Sequence, residues 1–191
     1  MRILLMPGHT EKRKGASNEY TTEFDLALIV CSSVISQSVL YKSKNDVMLY
    51  RETDLNYGYK DINNLNADLI IQLHFNSHKS SLAKGYENLY HYKSRKGKQC
   101  ASDLQGFVKS FYCKIQGKSG AEGLDRGTKH VSKGKRGYAF LNKTKAPAVI
   151  MEPFFLSTFS QYTAFMRELP FFTQMFSKYL SELTSAEVSN G

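Results

Sequence analysis

The stretch "DLIIQLHFN" (68–76) runs apolar on both sides of a single Gln and then stops on His-Phe-Asn. An apolar run without alternation fits a strand covered on both faces, as in a parallel sheet wrapped by helices. Two further runs read the same way, "RILLM" (2–6) and "PAVIM" (147–151). Each delivers an ionisable residue at its carboxyl end: His74, His9 after Pro7-Gly8, and Glu152. In an open parallel sheet these ends share one edge, where ligand sites form.

Helical patterns separate the runs. Thr22-Glu23-Phe24-Asp25 has the form of a capping box, and apolar residues at 24, 27, 28, 31, 34, 35 and 39 keep helical spacing to about Lys42. "DVMLYR" (46–51) and "GYENLYHYK" (85–93) read as strands, and 56–66 as a short helix. Residues 100–116 read as a helix with Leu104, Phe107, Val108, Phe111 and Ile115 on one face. The Gly- and Lys-rich segment 117–137 predicts a long irregular loop, and "YAFLN" (138–142) a short strand. An aromatic-rich helix follows over 158–183, with a break at Pro170. The alternation predicts an α/β fold: one domain over 1–183 with a mostly parallel central sheet of about six strands flanked by helices, then a polar tail, 184–191.

Cys31, Cys100 and Cys113 are odd in number and lack C-x-x-C spacing, which argues against a disulfide framework or a thiolate metal site. No stretch approaches the roughly 18 apolar residues of a membrane span, and residues 1–6 are too short for a signal-peptide core. The expectation is therefore synthesis in the cytoplasm without a signal peptide. The surplus of 26 Lys+Arg over 17 Asp+Glu gives a formal charge of +9, concentrated at 11–15, 92–98 and 129–137. It favours anionic partners.

Glu23 opens the helix after the first strand, and a loop that stays on the sheet edge brings it to the same rim. Two imidazoles and two carboxylates, His9, His74, Glu23 and Glu152, then converge. Such a set can bind Zn²⁺ with a position open for water, while a separate carboxylate moves protons. Two His and one carboxylate also suit non-haem iron, so the donor types alone leave the metal open.

Taken in order, the residues resemble a known family over roughly 1–180. "PGHTEKRKGA", "EFDLALI", "LYRETD", "NADLIIQLHFN", "GYENLY", "DRGTK" and "APAVIMEPFFLS" are similar, in order and spacing, to the motifs of the zinc-dependent N-acetylmuramoyl-L-alanine amidases of autolysins and phage endolysins. The resemblance implies His9, Glu23 and His74 as zinc ligands, Glu152 as the catalytic carboxylate, and Arg126 and Asn76 as site-lining groups, Arg126 a helper in catalysis and Asn76 a substrate contact. Glu19 competes with Glu23, whose distance from Gly15-Ala16 matches the family better. His78, His91 and His130 match no ligand position. Gln72, Pro153-Phe154 and Thr158 depart from the family pattern without removing a ligand.

The function implied is endolysin-like hydrolysis of the amide between N-acetylmuramic acid and the L-alanine of the stem peptide, with Zn²⁺ as cofactor. Peptidoglycan is the expected partner, reached in the periplasm or cell wall after release or delivery. The charge adds anionic envelope polymers, in place of a wall-binding module, and a monomer is expected. Two alternatives stay open: an inactive amidase-like wall-binding module, and a basic nucleic-acid binder. No nucleic-acid motif is present, so no nucleic-acid partner is expected.

Overall fold

The computed structural model describes residues 1–52, 59–184 and 188. Its elements follow the chain as β1 (Arg2–Pro7), α1 (Glu23–Leu40), β2 (Asp46–Leu49), α2 (Tyr59–Asn64), β3 (Leu69–Leu73), β4 (Tyr86–His91), α3 (Arg95–Leu124), β5 (Asp125–Val131), α4 (Tyr138–Lys143), β6 (Ala148–Glu152), α5 (Phe159–Arg167) and α6 (Leu169–Glu182). The six strands form one sheet in the order β2-β1-β3-β6-β4-β5. β2, β1, β3 and β6 are parallel, while β4 runs antiparallel to β6 and carries β5 parallel to itself. The expected α/β architecture with a mostly parallel six-stranded sheet is the one observed.

Strand alternation divides the apolar runs between two cores. Ile3, Leu5, Leu69, Ile71, Leu73, Val149 and Met151 face one side, beneath α1, α3 and α6. Leu4, Met6, Ile70, Ala148 and Ile150 face the other, with Ile62 of α2 and Phe140 and Leu141 of α4. Burial on both faces is why these strands read as continuous apolar runs. The larger core holds a cluster of rings in stacked, tilted and edge-on contact, Phe107, Phe111, Phe165, Phe172 and Phe176 among them. Val188 sits in this core too. Cys31, Cys100 and Cys113 are free thiols; burial raises Cys31 and pushes Cys100 up to about 11, so the first two are inert at neutral pH.

Four segments depart from the sequence reading. Residues 117–137 are not an irregular loop. α3 kinks at Gly117 (φ 75°) and resumes to Leu124, because Ala121 and Leu124 bury in the larger core and tertiary packing outweighs weak helix propensity. β5 then occupies the sheet edge, where a polar strand is tolerated. "YAFLN" is helical: a short apolar run fits either state, and here Phe140 and Leu141 bury together against the sheet. The helix expected over 56–66 spans Tyr59–Asn64, and 56–58 lie outside the described residues. α1, finally, is long and apolar enough to cross a membrane by length and composition, which the count of apolar residues had not anticipated. Here it is a core helix, burying Phe24, Leu26, Ala27, Val30, Cys31 and Val34.

Candidate metal centre

β1 ends at Pro7, and Gly8 extends its ladder by donating to Leu73 O at 2.7 Å. His9 follows in the left-handed region at φ 65°, a conformation uncommon for non-glycine residues and concentrated at functional sites. The chain loops through a Thr10–Arg13 turn and returns with Ala16 O accepting from Glu23 N at 2.7 Å. Thr22 caps α1, its hydroxyl accepting from Asp25 N, so the capping box forms as read. Glu23, the first residue of α1, is thereby turned beneath the ends of β1 and β3.

Glu23 is fully buried. Its Oε1 lies 2.8 Å from His74 Nδ1 and accepts from Phe75 N at 3.1 Å. Its Oε2 accepts from Ala16 N at 3.0 Å and lies 2.8 Å from His9 Nε2. Burial alone would raise this carboxyl, but the hydrogen bond to His74 and the close approach and charge of both His74 and His9 hold it well below the usual range. His74 is lowered chiefly by burial, partly offset by Glu23, so its imidazole is neutral and free to donate a lone pair. Glu19, the rival carboxylate, is exposed.

Two glycines fit this cluster closely. A Cβ on Gly8 would stand 2.5 Å from the His74 ring; one on Gly15 would stand 2.5 Å from the His9 ring and 2.6 Å from Glu23 Oε2. Gly15 is also at φ +78°.

One donor atom from each of His9, Glu23 and His74 lies within 4.8 Å of the others. His9 Nε2 is buried and makes no hydrogen bond, though Glu23 Oε2 lies 2.8 Å away. Donors held this close, with a buried imidazole nitrogen left without a proton partner, fit a divalent cation. Two nitrogens and one carboxylate are a zinc-type set with coordination positions to spare.

The cluster opens on a cavity of about 410 Å³ between the sheet, α2 and α4, lined by His9, Gln72, His74, Asn76, Glu87, Arg136 and Glu152 among others. Glu152, last in β6, pairs in register with Glu87 of β4. Its Oε2 is buried without a partner. Burial first, then the charge of Glu23, raises Glu152 well above the carboxylate range; Arg136 partly offsets this and Glu87 adds to it. For Glu87 the burial effect is outweighed by Lys129 and Arg126, 2.8 and 2.7 Å away, and its carboxyl is lowered. The two facing carboxyls are thus pushed apart, one toward the acid and one toward the anion.

Asn76 donates to Glu87 Oε1 at 2.8 Å and lines the cavity. Arg126 binds the other oxygen of Glu87 and covers the Phe155 ring, beside the cavity rather than in its lining. Arg136 is the guanidinium in the lining. Sequence reasoning missed it, since one Arg in a basic loop carries no spacing signal. It also missed Glu87, whose only mark was a carboxylate at the start of a strand.

A family model described as N-acetylmuramoyl-L-alanine amidase matches residues 3–168. No curated protein matches the chain. Among solved structures, the N-acetylmuramoyl-L-alanine amidase from Clostridium difficile 630 is similar at TM-score 0.73 and 24% identity, covering 100% of this chain and 98% of that one. The catalytic domain of the CD27L endolysin targeting Clostridia difficile superposes at 0.68 and 21% identity, over 94% and 96%. The catalytic domain of CwlV from Bacillus (Paenibacillus) polymyxa gives 0.65 and 24%, over 94% and 93%. At these identities the likeness is one of fold. The family match spans most of the chain, and by it this protein belongs to the N-acetylmuramoyl-L-alanine amidase family.

Proposed function

We propose that this chain is a zinc-dependent peptidoglycan amidase that hydrolyses the bond between the lactyl carbonyl of N-acetylmuramic acid and the nitrogen of L-alanine. One observation carries the reading: the His9–Glu23–His74 donor cluster adjoins a cavity whose lining includes Glu152, with a buried, unpartnered carboxylate oxygen. Zinc, when bound by His9, Glu23 and His74, supplies a lowered pKa for water and polarisation of the scissile carbonyl. Glu152 takes a proton from the attacking water and returns it to the departing alanine nitrogen. A raised proton affinity makes the ionised carboxylate a better base, and the charge of bound zinc would favour that ionised form before it takes the water's proton.

Asn76 commits one amide hydrogen to Glu87 and keeps another for the substrate. Arg126 braces that arrangement through Glu87. Arg136, in the cavity lining, is the cation better placed to meet negative charge developing on the carbonyl oxygen.

On a soluble N-acetylmuramoyl-L-alanyl peptide, mass spectrometry is expected to find free N-acetylmuramic acid and a peptide with a free alanine amino terminus. An intact substrate, or cleavage within the peptide, would contradict the reading. The cradle glycines offer a second check. Gly15→Ala should lower zinc affinity about 10- to 100-fold, the range for groups that orient metal ligands, by pressing a methyl on His9 and Glu23. Unchanged affinity in competition with a chelating dye would show that the close packing does not matter.

A further inference from the structure

β4 and β6 run antiparallel, so His91 at the end of β4 lies by the start of β6, at the opposite end of that strand from Glu152. There the chain turns into α3, whose start is pressed on β6: a Cβ on Gly97 would stand 3.4 Å from Ala148 O. A second cavity of about 410 Å³ opens at this place, lined by Lys93, Arg95, Lys96 and Lys145 as its charged side chains, with His91 and Ser94. Among the described residues no acidic one lines it. Among the described residues none of the four cations has an ion pair.

The arrangement is electrostatically adverse without a ligand. A helix start carries partial positive charge and ordinarily attracts acidic residues. The first turn of α3 has none, and places Arg95, Lys96 and Lys98 there instead. Ser94 Oγ caps only Gly97 N. His91 supplies an independent sign. Its Nδ1 accepts from Lys93 N at 3.3 Å, which leaves Nε2 as the ring donor, and that atom is buried with no partner. A free buried donor, four cations without an ion pair among the described residues, of which Lys93 rests over the Tyr92 ring, and a helix start call for an oxyanion with several acceptor oxygens.

We propose that this cavity binds a phosphodiester-linked anionic polymer of the cell wall, holding the chain on its substrate from the end of the sheet opposite the catalytic cluster. The identity of the occupant rests on the peptidoglycan reading; the preference for a phosphate-type anion rests on the cavity itself. Four separate cations over a cavity open to solvent suit a repeating phosphate chain better than a single small anion. Bound here, the polymer leaves the hydrolytic cavity free.

The test uses the full chain and a Lys96→Glu/Lys145→Glu variant, with a synthetic glycerol-phosphate oligomer as probe. Glutamate at position 96 complements the start of α3, so lost binding is not lost folding. The variant should bind the oligomer at least about tenfold more weakly, while hydrolysing the soluble muramoyl-L-alanyl peptide at the unaltered rate. Equal oligomer affinity in variant and parent would overturn the proposal and leave the amidase reading standing; absence of hydrolysis by the parent would do the reverse. A single-stranded DNA oligomer of equal charge that binds as tightly, and is weakened alike, would overturn the assignment to a wall polymer. So would complete displacement of the oligomer by inorganic phosphate at equal phosphorus concentration.

Discussion

Glu152→Gln is expected to lower turnover at least about 10²-fold, the low end of general acid–base catalysis, while one zinc ion per chain stays bound. The amide keeps the size of the carboxyl but cannot accept and return a proton. Glu152 stands apart from the His9–Glu23–His74 donor set, so the metal should be indifferent to the change. Steady-state hydrolysis of the soluble muramoyl peptide, with metal analysis of the same preparation, checks both parts. Near-normal turnover would remove Glu152 from its role. Loss of zinc would make it a ligand instead.

Glu23→Ala should have the other large effect, and on two quantities at once. The donor cluster loses the one carboxylate it has among the described residues, and the variant should purify without stoichiometric metal. Stability should fall as well, even in metal-free protein. Glu23 accepts from the half-buried Ala16 N and the buried Phe75 N; a buried donor left unpaired costs about 1–3 kcal/mol, and the half-buried one less. The sign follows from the lowered carboxyl: the folded state favours the ionised form more than the unfolded chain does, so the charge contributes stability at neutral pH. Denaturant unfolding with chelator present reads this directly. A metal-free variant as stable as its parent would show that Glu23 is held at no net gain.

Much of this was legible because it follows from local rules. The runs at 2–6, 68–73 and 147–151 announced strands covered on both faces, and their polar ends marked the rim where His9, His74 and Glu152 stand. Thr22 and Asp25 announced the start of α1, and hence the place of Glu23. What stayed hidden depends on contacts distant in sequence. Residues 118–124 are helical because Ala121 and Leu124 are buried, and β5 is a strand because β4 offers it an edge. Nothing in the sequence ties Gly8 or Gly15 to particular neighbours; only the folded chain reveals that their missing side chains make room for His74, His9 and Glu23. Glu87 read as one charge on a strand, yet it gathers Asn76, Arg126 and Lys129.

The most direct test of the central claim is digestion of purified sacculi by this chain, before and after dialysis against a chelator and after zinc is restored. Free alanine amino termini should appear with no new reducing sugar ends, cease when the metal is removed, and return with zinc. New reducing ends, or release that survives chelation, would contradict a zinc amidase built on His9, Glu23 and His74.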